Sequence, residues 1–112
     1  MAMTPEAKVK KKCVAYLKSI GAYYFFPATG GYGKSGVPDI VGCYKGKFFG
    51  IECKAGTNKP TEVQKLQLQL IADAGGIAIV IHENTLKTME KLLNDWINPK
   101  PLIKTWISTD KT

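Results

Sequence analysis

The stretch that decides the fold is residues 36–54, GVPDIVGCYKGKFFGIECK. Pro38–Tyr44 and Lys47–Lys54 are two short β-rich runs separated by Lys45-Gly46, the spacing of a hairpin. With a symmetric loop, Tyr44 faces Lys47, Gly42 faces Phe49, and Asp39 comes directly opposite Glu52 on one face. A bulge at Gly46 would shift this register by one residue. Opposed side chains have Cβ atoms roughly 4.5–5.5 Å apart, where like charges repel, so the two carboxylates call for a cation or a shared proton. Lys54, two residues beyond Glu52, shares their face.

Outward from the hairpin, Thr4-Pro5-Glu6 reads as a helix start, with Thr4 as N-cap and Pro5 at the first helical position. That helix runs to Ile20 and stops at Gly21. Val9, Cys13, Tyr16, Leu17 and Ile20 form its apolar stripe, and Glu6 falls inside the stripe rather than on the lysine-covered side. An acid in a first turn complements the helix dipole. Beside an Asp-Glu-Lys cluster, it is also a candidate third acid.

Ala22–Phe26 is an aromatic strand and Pro27–Gly36 a glycine-rich loop. Thr61-x-x-Gln64 is a capping box opening a helix to about Ala74, ended by Gly75-Gly76. Ile77–Ile81 is a continuous apolar run, expected as a strand covered on both faces. Asn84–Ile97 reads as a last helix. The order α-β-β-β-α-β-α gives an α/β sandwich on a mixed sheet, one domain over residues 1–98 followed by a tail, 99–112.

Sixteen basic against nine acidic residues give a net charge of +7, which favours a polyanionic partner, nucleic acid first. The cysteines, Cys13, Cys43 and Cys53, are odd in number and form no C-x-x-C pair, so a reducing, cytoplasmic compartment is expected. A single histidine, His82, excludes two-histidine zinc motifs and reads as structural. No apolar run approaches a membrane span, and no signal peptide is expected. Ala28–Ser35 matches a relaxed phosphate-binding P-loop, but a working one needs a helix directly after the Lys-Ser. Here Pro38 and a β-branched run follow, so no nucleotide cofactor is expected. Lys34 and Ser35 are better read as a basic lip facing a DNA phosphate. Trp96 and Trp106 read as packing or interface residues rather than base-stacking ones.

Oxygen-bearing acids beside a lysine suit a hard cation, Mg²⁺ or Mn²⁺, which polarises a phosphodiester and acidifies its bound water. Pro38-Asp39…Glu52-x-Lys54 resembles the signature of the PD-(D/E)xK nuclease superfamily. The strings 36–42, 50–56 and 59–64 (KPTEVQ) look like a stand-alone VRR-NUC domain of the viral and bacterial kind, a similarity running from about Thr4 to Leu93. The resemblance implies a restriction-endonuclease-like αβββαβ core with a mixed sheet flanked by helices. It also implies a divalent-metal site and endonucleolytic cleavage of structured DNA. Carried over residue by residue, it makes Asp39 and Glu52 metal ligands, with the Cys53 backbone carbonyl beside them, and Lys54 the catalytic lysine. Glu6 becomes the acid of the first helix, catalytic or reaching the metal through water, Gln64 the glutamine after the hairpin, and Lys59 a DNA contact.

The function expected is a Holliday junction resolvase; a flap or nicking nuclease and a non-cleaving DNA-binding module on the same fold are the alternatives. Two symmetric cuts from one site per chain require a homodimer. The apolar tail residues Leu102, Ile103, Trp106 and Ile107 are the material the sequence offers for its interface.

Overall fold

In the computed structural model, which describes residues 3–28 and 35–97, the hairpin forms in the expected register. Strands β2 (Ile40–Tyr44) and β3 (Lys47–Cys53) are antiparallel, with Tyr44 opposite Lys47 and Gly42 opposite Phe49. Lys45 and Gly46 both have positive φ, 50° and 82°, the tight primed turn that matches strand twist, so no bulge shifts the pairing. β1 (Tyr23–Phe25) adds antiparallel to β2, and β4 (Ile77–Ile81) adds parallel to β3, giving the mixed order β1-β2-β3-β4.

Helix α1 (Pro5–Ser19) begins where Thr4 accepts a hydrogen bond from the Ala7 N–H at 3.1 Å, and α2 (Glu62–Asp73) begins at the Thr61–Gln64 capping box. α3 (Leu86–Ile97) starts two residues later than expected, because Thr85 Oγ1 accepts from the His82 N–H at 2.8 Å and holds residues 82–85 as a turn. β1 is shorter than the aromatic run that predicted it. The sequence Ser35-Gly36 turns into Pro38 and β2, with no helix after Ser35, as the P-loop argument required.

Strand alternation puts Ile40, Phe49, Ile51, Cys53, Ile77, Ile79 and Ile81 on one face. There they pack with Val9, Cys13 and Leu17 of α1 and with Met89 and Leu93 of α3, which together are the core. Among the described residues, the other face carries α2, laid over β3 and β4. Gly50 allows that close approach, since a Cβ there would meet Ile71 Cδ1 at 2.6 Å and Pro38 Cγ at 3.0 Å. One expectation is corrected here. β4 is fully buried on its isoleucine face only, while Ala78 and Val80 are half-buried beside a groove of about 460 Å³ along α2. A single helix cannot seal both flanks of the strand it covers. Lys34 and the tail, with Leu102, Ile103, Trp106 and Ile107, lie outside the described residues.

Candidate active site

β2 stops at Ile40 while β3 runs on to Cys53, so the end of β3 projects past its antiparallel neighbour. Asp39, just before β2, fills the vacated position: its Oδ2 accepts a hydrogen bond from the Cys53 N–H at 2.8 Å. On a strand, the N–H and C=O of one residue point the same way, so the Cys53 carbonyl faces the side on which Asp39 lies. The Cys53 side chain goes to the opposite face. There a hydrogen bond with Cys13 and burial push its thiol well above the usual range, so only its backbone belongs to this site.

Glu52 is 3% exposed, the only buried charged residue among those described. Its Oε2 lies 3.3 Å from Lys54 Nζ, and its Oε1 is buried without a hydrogen-bond partner. Burial and the charge of Asp39 raise its pKa from the ordinary 4.5 to about 7, against the attraction of Lys54. Lys54, whose side chain is 11% exposed, also reaches Glu6 Oε1 at 3.9 Å across the start of α1. Glu6 is therefore brought to the lysine, although its carboxylate is 44% exposed rather than turned into the core. It borders a cleft of about 300 Å³ between the start of α1 and the loop after Lys54.

A buried carboxylate oxygen without a donor costs free energy, and a divalent cation is the partner that would offset it. Among the described residues, no three acidic, histidine or cysteine side chains converge on one point. Two carboxylates and a carbonyl are nonetheless a donor set that suits Mg²⁺ or Mn²⁺, which keep waters and take substrate oxygens for the rest of their shell. The residues fit such an ion.

The other sequence-derived candidates are spread around this cluster. Gln64 Oε1 accepts from the Thr61 N–H at 2.8 Å, so its carboxamide oxygen is occupied in the capping box. Ser35 and Lys59 are exposed, on the segments that lead into β2 and α2. The ring of His82 pairs with the Asn58 carbonyl at 3.3 Å. Two features escape sequence reasoning. The Glu83 carboxylate accepts from the Gly56 N–H at 3.1 and 3.2 Å, tying down the loop after Lys54 from the far end of β4. Gly36 has φ +73°, and a Cβ on it would come within 2.9 Å of the Gln64 backbone nitrogen, so α2 starts directly against the segment that carries Asp39. Neither contact has a local signal, since each joins residues more than twenty positions apart.

The family model described as archaeal Holliday junction resolvase (Hjc) matches residues 7–85, well over half of the chain. The matched span contains Asp39, Glu52, Lys54 and Gln64 and begins immediately after Glu6. No curated protein and no solved structure gives a significant match.

Proposed function

The chain belongs to the archaeal Holliday junction resolvase family, a family of PD-(D/E)xK nucleases, and from that premise we propose that it cuts four-way DNA junctions by metal-dependent phosphodiester hydrolysis at Asp39, Glu52 and Lys54. The observation that carries this reading is the buried, donorless Glu52 Oε1, beside Asp39 and within an ion pair to Lys54. Asp39, Glu52 and the Cys53 carbonyl would hold Mg²⁺ or Mn²⁺. Bound there, the ion supplies Lewis-acid polarisation of the scissile phosphate and a water of lowered pKa.

Lys54 places an ammonium at the edge of the site, where it orients the attacking water and offsets negative charge as the phosphorus becomes five-coordinate. Glu6 holds that ammonium from the solvent side. The amide NH₂ of Gln64, left over from the cap, is available to a phosphate oxygen, and Ser35, Lys59 and Lys34 extend the backbone contacts. The strings 36–42, 50–56 and 59–64 support the finer reading, a VRR-NUC variant of this core. The working unit is a homodimer, because one site cuts one strand and resolution takes two cuts. Three free thiols support action in a reducing cytoplasm.

The test is cleavage of labelled four-way, flapped and linear DNA with Mg²⁺, with Mn²⁺ and with chelator. Paired, symmetric cuts in the four-way junction that vanish with chelator are expected. Cutting confined to flaps would replace the resolvase reading with a flap nuclease, and no cutting by wild-type protein with either metal would end the proposal.

A further inference from the structure

The end of β4 grips the segment that follows β3 at three points. The Lys54 N–H donates to the Ile81 carbonyl at 2.9 Å, which carries the parallel β3–β4 pairing one residue past β3. The next two residues act through their side chains. The His82 ring Nε2 lies 3.3 Å from the Asn58 carbonyl, and both Glu83 carboxylate oxygens accept from the Gly56 N–H, at 3.1 and 3.2 Å. Glu83 is itself held in place. Its turn, residues 82–85, is closed by the Thr85 N–H, which donates to the His82 carbonyl at 3.1 Å, and by Thr85 Oγ1, which accepts from the His82 N–H at 2.8 Å. That turn stands between Ile81 and Met89, both fully buried, so the core carries the carboxylate.

We propose that Glu83 is a positioning residue for the cleavage step: by gripping Gly56 it fixes the backbone behind Lys54 and keeps the lysine ammonium between Glu52 and Glu6. The proposal rests on the reading of Lys54 as the lysine of that step. Gly56 has φ +62°, and a glycine in the left-handed region has a wide choice of neighbouring backbone conformations. One N–H shared by two carboxylate oxygens is a charge-assisted bond that narrows the choice. Lys54 feels the result directly, because it is the first residue past β3 and lies two positions before Gly56. Its Nζ stands 3.3 Å from Glu52 and 3.9 Å from Glu6. The ammonium ends a four-carbon stem, so a backbone rotation of about 10° at Lys54 carries it roughly 1 Å. Misplacement on that scale can slow a reaction by up to about 10²-fold.

Other roles for this carboxylate fit less well. Glu83 borders the same cleft of about 300 Å³ as Glu6, yet both its oxygens are turned to the Gly56 N–H. Among the described residues no three acidic, histidine or cysteine side chains converge, so Glu83 does not complete a ligand set with Asp39 and Glu52. Nor is an exposed anion a contact for DNA phosphate; it repels the polyanion that a net charge of +7 attracts. A group that opposes binding beside the site is accounted for by what it holds, the loop behind Lys54.

The first readout needs no cleavage: acetylation of the full chain by acetic anhydride, followed lysine by lysine by mass spectrometry. Lys54, 11% exposed in its side chain, should label several-fold faster in Glu83→Ala than in wild type, while Lys65, 57% exposed, is unchanged. Glu83→Gln keeps an acceptor opposite Gly56 and should keep Lys54 protected. Glu83→Asp, one methylene short of the same reach, should behave as Glu83→Ala. The second readout is single-turnover cleavage of the four-way junction at saturating Mg²⁺. Glu83→Ala should be slowed about 10-fold, less than the loss of the ammonium itself, and Glu83→Gln should restore most of the rate. Both variants lose the same charge, so their junction affinities should agree. In a Lys54→Met background, Glu83→Ala should change the residual rate by less than about 2-fold, because two residues acting through one group are not additive. A merely structural role would slow both backgrounds alike. Unchanged Lys54 labelling in both Glu83→Ala and Glu83→Asp, equal slowing in the two lysine backgrounds, or Glu83→Gln as slow as Glu83→Ala would each overturn the proposal. A wild type that cuts nothing while Lys54 labelling responds as described would overturn the resolvase reading and leave the hold of Glu83 on Lys54 standing.

Discussion

Replacing Glu52 by glutamine should make the metal-free protein more stable at alkaline pH, although it removes a charged residue from an ion pair. The folded state holds the Glu52 proton with a pKa of about 7 against the ordinary 4.5. The protonated carboxyl therefore contributes stability that is fully present below about pH 4.5 and is lost as pH rises through about 7. At about 1.4 kcal/mol per unit, the loss is about 3 kcal/mol. Glutamine is neutral at every pH, and its NH₂ can face Asp39 without repulsion. In chelator, the Glu52→Gln variant and wild type should melt together near pH 4.5. They should diverge through pH 5–8, with the variant ahead by roughly 12–24 °C at pH 8, since 1 kcal/mol is worth about 4–8 °C in a domain near this size. Added Mg²⁺ should raise the melting temperature of wild type and not of the variant. Melting curves by circular dichroism across this pH range decide it. Parallel curves for the two proteins, or a wild type that gains stability relative to the variant as pH rises, would refute the reading of Glu52 as a buried carboxylate lacking its cation.

Other outcomes follow from the same geometry. Asp39→Ala and Glu52→Ala should abolish junction cleavage while gel-shift affinity is kept or improved, because repulsion toward phosphate falls; near-wild-type cutting by either would remove the metal-site assignment. Lys54→Met should keep metal-induced stabilisation but cut the single-turnover rate by about 10²–10³-fold, the scale of one lost transition-state donor. Junction affinity should fall linearly on a log–log salt axis, with a slope of about −0.9 per phosphate neutralised, and a flat plot would show that the positive charge does not drive binding. Gly36→Ala combines a left-handed backbone with a clash against the first turn of α2, so chemical denaturation should show a loss of about 1–3 kcal/mol, with cleavage reduced through displacement of Asp39.

Much of this was legible along the chain, because the information was local. Thr4-Pro5, Thr61-x-x-Gln64 and Lys45-Gly46 fix their caps and turn through bonds between residues at most four apart, and the primed turn then carries the register along both strands to Ile40 and Ile51, the neighbours of Asp39 and Glu52. Period-2 alternation placed Glu52 and Lys54 on one face for the same reason. What the sequence could not say is how deeply each carboxylate is buried. Glu52 is sealed and Glu6 half-open because three elements distant in the chain meet around the end of β3, and only the assembled layers fix the solvent around a charge. The Glu83–Gly56 tie and the seat of α2 on Gly36 belong to that second class. Local bonding decides which elements form, but desolvation is a property of everything packed around a group, so tertiary structure alone sets the pKa of Glu52.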